Sequence, residues 1–110
     1  MKLPNGEHAV VDIAKLRDYS LSLSHEDGKH KARVFEAALG LRMHDAEWLR
    51  AQLLEIAKKQ DCRPGRKTEF GQRYLIDFTL SRQERSARLR SVWIVRANEN
   101  FPRLVTCYVL

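Results

Sequence analysis

The chain has 110 residues, 44% of them hydrophobic and 31% charged, with a formal net charge of +6. That length predicts one domain, residues 1–110, able to bury a core without metal or disulfide staples. No apolar run is long enough to span a membrane and "MKLPNGEHAVVD" lacks the apolar centre of a secretion signal, so a cytoplasmic protein with no membrane partner is expected.

The charge is unevenly placed. Residues 1–61 hold ten Lys+Arg and ten Asp+Glu, whereas residues 62–110 hold ten bases, nine of them arginine, against four acids. Arginine binds phosphate in a bidentate way and stacks on bases. A basic half of this kind is the footprint of a nucleic-acid binder, and it also suits a surface that only confers solubility.

In chain order, residues 1–61 read as helical. Asp12 is placed to cap a short helix over "IAKLRDYS" that buries Ile13, Leu16 and Tyr19. "LSLSHEDG" is a polar turn in which Ser24 and Asp27 form a weak capping-box pattern. A second helix spans about Lys29 to Leu39, with Val34, Phe35, Ala38 and Leu39 on its buried face and Gly40 as a left-handed cap. Asp45 is placed to cap a third helix whose Ala46, Leu49, Leu53 and Ile56 make one apolar stripe.

After "DCRPGRK" the period changes to two. In "RYLIDFTL", Tyr74, Ile76, Phe78 and Leu80 alternate with Arg73, Leu75, Asp77 and Thr79. "SRQERSAR" reads as a polar connection, "LRSVWIVR" and "RLVTCYVL" as strands, and a further short strand is expected within residues 62–70. Helices (1–61) before strands (62–110) predict an α+β fold, with about three helices on one face of a three- to four-stranded antiparallel meander. The helix-covered face is expected to hold Ile76, Phe78, Val92, Ile94, Val105, Cys107 and Val109. The open face then carries Arg73, Asp77, Thr79, Ser91, Trp93, Thr106 and Tyr108. Leu104, Tyr108 and Leu110 are the alternative core set for the last strand, since a one-residue slip exchanges the two faces. Cys62 and Cys107 are expected to be reduced thiols unless neighbouring strands allow a bridge, and no metal site or cofactor is expected.

The candidate chemistry begins in "DGKHKARVFEAALG". His30 and Lys31 lie one turn before Val34 and Phe35 and so flank the core. A histidine there can move a proton near neutral pH, and a lysine can stabilise charge on a phosphate. The same two residues at a solvated helix end would touch only water. On the open face, Trp93 and Tyr108 offer rings for base stacking, and Arg66, Lys67 and Arg73 can track phosphates. Cleavage of RNA through its own 2′-hydroxyl needs no metal, only a base, an acid and cations on the phosphate.

The motifs "LPNGEHAVVDIAKLRDYSL", "GKHKARVFEAALG", "FGQRYLIDF", "RSVWIV" and "FPRLVTCYVL" resemble a family of small, uncharacterised bacterial domains, also similar to C-terminal segments of polymorphic-toxin and phage-associated proteins. The element order resembles, at the level of fold, the ribonuclease group of barnase, EndoU, colicin-type and RelE-type toxins. That resemblance implies a site on the open sheet face, with His30 and Lys31 from a helix and Arg73, Ser91 and Thr106 from strands. The expected function is therefore a toxin-like, RNA-binding domain, with metal-independent cleavage by His30, Lys31, Ser91 and Thr106 and a small acidic antitoxin- or immunity-like partner. The alternatives are a non-catalytic protein-interaction module and an inactive nuclease relative.

Overall fold

The computed structural model describes residues 1–110. Asp12 is extended and its side chain accepts the Ala14 N–H at 3.0 Å, which satisfies one of the free donors at a helix start. Helix α1 (Ile13–Lys15) runs straight into a π turn, Leu16–Ser20, that buries Leu16 and Ser20. The turn before α2 (Lys29–Leu39) is closed by His25 and not by a Ser24–Asp27 box: His25 Nδ1 accepts the N–H groups of Asp27 and Gly28, each at 3.0 Å. Gly40 ends α2 at φ 68°, a conformation without penalty only for a residue lacking Cβ. The buried stripe of α2 is Ala32, Phe35 and Leu39. Val34, expected inside, is 46% exposed, because adjacent helical residues point about 100° apart.

Helix α3 (Ala46–Lys59) buries Ala46, Leu49, Leu53 and Ala57. Asp45 does not cap it. Its carboxylate turns back to accept the Arg42 N–H at 3.0 Å, closing a 3-10 turn over Met43–Asp45, and pairs with Arg82 at 2.8 Å. No helix is long and apolar enough to cross a membrane.

Strands β1 (Arg63–Thr68), β2 (Gly71–Arg82), β3 (Arg85–Arg96) and β4 (Pro102–Val109) form one antiparallel sheet in the order β1-β2-β3-β4. The fold is thus α+β, with the helices in the N-terminal half and a four-stranded meander after them. The connection expected over "SRQERSAR" is mostly strand: β2 and β3 pair as far as Arg82 and Arg85, and only Gln83 and Glu84 turn the chain. Val10 adds a short parallel bridge beside β4 at Arg103.

The helices pack on the sheet face that carries Ile76, Phe78, Leu80, Leu89, Trp93, Leu104 and Cys107, all in one buried cluster. This corrects the expected faces of β3. Trp93 and Ser91 are fully buried, while Val92 and Ile94 lie on the open face. Strand β4 follows neither simple alternation. Val92 pairs with Thr106 and Trp93 with Leu104, leaving Val105 as an extra residue. A bulge of this kind resets the parity, so Leu104 and Cys107 both face the core. Cys62 and Cys107 are free and buried. Cys107 lies on one edge strand and Cys62 adjoins the other, and three inter-strand spacings amount to roughly 14 Å, well beyond the reach of a disulfide.

Candidate nucleic-acid interface

Strand register places the open-face residues in rows. Asp77 lies opposite Arg90, which lies opposite Tyr108; Leu75 opposite Val92, opposite Thr106; Arg73 opposite Ile94, opposite Arg103; and Thr79 opposite Arg88. Arg63 joins through Leu75 and Arg96 through Gly71. The face is therefore an apolar ridge flanked by six arginines, with Asp77 as the one acid among its strand residues.

Some of these charges are internally matched. Arg90 grips Asp77 with two bonds of 2.7 and 2.9 Å, and Arg63 adds a third at 3.2 Å. The Arg90 bonds, followed by the Arg63 bond, hold the Asp77 carboxyl down at about 2. Arg103 is clamped by Glu99 through two 2.8 Å bonds, which lower the Glu99 carboxyl below its ordinary range. Lys15, Arg66, Lys67, Arg73, Arg88 and Arg96 take part in no ion pair.

A second cluster sits at the β4 edge. The Lys31 Nζ lies 5.3 Å from the ring centroids of both Tyr19 and Tyr108, and it donates to Thr106 Oγ1 at 3.4 Å. An ammonium between two π-faces is attracted by their quadrupoles. His25 stands edge-on to Tyr19, with centroids 4.7 Å apart. Its Nδ1 is taken up by two backbone N–H groups, which leaves Nε2 as its other ring nitrogen for a further hydrogen bond. Lys31, Tyr19, His25 and Thr106 line a surface hollow of about 670 Å³ with Asp18, whose carboxyl the Arg17 bond holds low. A smaller hollow of about 270 Å³ adjoins it, sharing Asp12, Lys15 and Val105.

Of the expected site residues, Lys31, Thr106 and Tyr108 come together at this edge, and Arg73 lies two rows from Tyr108 on the same open face. The others do not. His30 is exposed and outside the hollow, on the same side of α2 as the exposed Val34. Ser91 is a core residue: its Oγ donates to the Ile76 carbonyl at 3.1 Å and accepts the Trp93 indole N–H at 2.9 Å. Trp93, with no exposed surface, has no face for a base. Lys67 pairs with Gln72, in the row parity of Tyr74 and Ile76 on the helix side, and Arg66 falls in the irregular part of β1.

Sequence reasoning missed His25, Lys15, Arg88, Arg96 and Arg103. It also missed Phe70, which is 71% exposed at the β1–β2 turn, its carbonyl tied to the Ala97 N–H. An aromatic inside the polar turn "EFGQ" was the available signal for Phe70. His25 gave none, because its role depends on a turn closing on its own imidazole. No curated protein and no solved structure matches the chain. A family model does match, over residues 2–110, and the chain belongs to that family, the domain of unknown function DUF6883.

Proposed function

We propose that this protein binds single-stranded RNA across the open face of its sheet. The observation that carries this reading is the set of cations there outside any ion pair, Arg73, Arg88 and Arg96, among strand residues whose one acid is already occupied by Arg63 and Arg90. Keeping like charges together is unfavourable unless a polyanion neutralises them. The apolar ridge of Leu75 and Val92 and the half-buried Tyr108 supply surface for bases, which stack without regard to sequence.

Cleavage is a second reading of the same face, favoured by Lys31. Its ammonium, next to Thr106 and between two tyrosines, suits charge developing on a scissile phosphate. A toxin-like domain of this type would be held inactive by an acidic protein covering the arginine rows.

The test is fluorescence anisotropy with a labelled, mixed-sequence single-stranded RNA in EDTA, across a salt series, followed by a gel. Four phosphate contacts give a slope of log affinity against log salt of roughly −3. A slope near zero overturns the binding reading, since an interface centred on apolar residues responds weakly to salt. Intact RNA on the gel overturns the cleavage reading alone.

A further inference from the structure

The smaller hollow, about 270 Å³, is lined by Lys15, Arg73, Arg96 and Arg103. These cations come from α1, β2, β3 and β4, so the whole topology is needed to assemble them. Two carboxylates belong to the same place. Glu99 is committed to Arg103, and Asp12 gives one oxygen to the Ala14 N–H. Four cations against two carboxylates leave two positive charges, close to the charge of one phosphate monoester at neutral pH.

The walls favour a small, strongly charged group. Ile94, Leu104 and Val105 are apolar, and a charge beside apolar walls interacts more strongly than one in open water. The volume falls just under the range of ordinary small-molecule pockets, about 300–1,000 Å³, which suits one phosphate and part of its sugar. The β4 side is closed by Val10, whose N–H and carbonyl bond to Pro102 and Leu104. The adjoining hollow, reached past Val105, leads to Lys31.

We propose that this hollow seats a terminal phosphate monoester of the RNA strand, so that the protein binds a phosphorylated strand end in preference to a strand interior. The inference rests on the RNA reading of the open face. An interior phosphodiester has one charge and a chain leaving on both sides. The hollow offers two charges and a wall.

The experiment uses the full chain and three short single-stranded RNAs of one sequence: 5′-phosphorylated, 3′-phosphorylated, and hydroxyl at both ends. One phosphorylated form is expected to bind roughly tenfold tighter than the hydroxyl form, the scale of one charge-assisted hydrogen-bonded contact. In Arg73→Gln and Arg96→Gln that ratio falls to about one. Arg88→Gln, away from the hollow, weakens all three RNAs and keeps the ratio. Equal binding of all three RNAs by the parent protein overturns the inference and leaves the RNA reading standing. If no RNA binds but adenosine 5′-monophosphate shifts the arginine side-chain resonances, and Arg73→Gln and Arg96→Gln abolish the shift, the phosphate hollow stands and the RNA reading fails. No response to either probe overturns both.

Discussion

Trp93 donates its indole N–H to the Ser91 hydroxyl two residues away on the same strand face, at 2.9 Å, and the hydroxyl in turn donates a hydrogen bond to the Ile76 carbonyl at 3.1 Å. A fully buried tryptophan contributes a large apolar area only if its one polar atom is matched. Ser91→Ala therefore leaves a buried donor unsatisfied and is expected to cost about 1–3 kcal/mol in urea unfolding. Adding Trp93→Phe removes that donor, so the double variant should be less destabilised than the sum of the singles. Strict additivity would show that the hydroxyl does not serve the indole.

Asp77 makes stability depend on acid. Its folded value, about 2, lies below the ordinary 3.8, so the unfolded chain takes up the proton first. The stabilisation is complete above about pH 4 and disappears as the pH falls through about 2. With Arg90 and Arg63 27% and 53% exposed, solvent screening reduces it to about 1–2 kcal/mol. Between pH 7 and pH 2, unfolding curves of the parent should lose that much more stability than those of Asp77→Asn, which keeps the acid dependence of the other paired carboxylates. The same variant frees two open-face arginines and should bind RNA more tightly.

Lys31 and His30 are neighbours in sequence with opposite surroundings. Lys31→Ala is expected to reduce the salt slope of RNA binding by about 0.7, the share of one phosphate contact. His30→Ala should change neither the slope nor any cleavage. Equal effects of the two substitutions in the anisotropy titration would return His30 to the site.

Gly28 holds the Lys31 cluster tight. A Cβ there would lie 2.4 Å from the Tyr19 carbonyl oxygen and 3.3 Å from its ring. Gly28→Ala must push the π turn from the start of α2, at about 1–3 kcal/mol for an overpacked contact. A thermal melt followed by circular dichroism should register this as a lower midpoint. An unchanged midpoint would mean that Tyr19 yields freely.

The helices were legible because each carries its own stripe and end signals: Asp12, Gly40 and the Leu49–Leu53 spacing each act locally. Strand β2 was legible because its polar and apolar residues alternate. Strand β3 was not, because residues 92–95, Val-Trp-Ile-Val, are apolar at both parities. A serine in the core parity looked like a surface residue until its partner, the Trp93 indole, was known. Strand β4 could not be read by any strict period of two, since the bulge at Val105 turns Leu104 and Cys107, three residues apart, to the same side. The same parities put Ser91 and Trp93 in the core, whereas Thr106 and Tyr108 lie on the open face as their alternation predicts and Lys31 reaches them from its helix.

The bridge between Val10 and Arg103 joins segments far apart in sequence, and Asn5 reinforces it by donating to the Asn100 carbonyl. During synthesis Lys15 is made well before Arg103. A nascent chain that has formed its helices and even its first three strands still lacks the β4 wall and Arg103 of the small hollow. The hollow is therefore completed only when β4 emerges, and a polypeptide interrupted before Pro102 would have most of its secondary structure and no hollow.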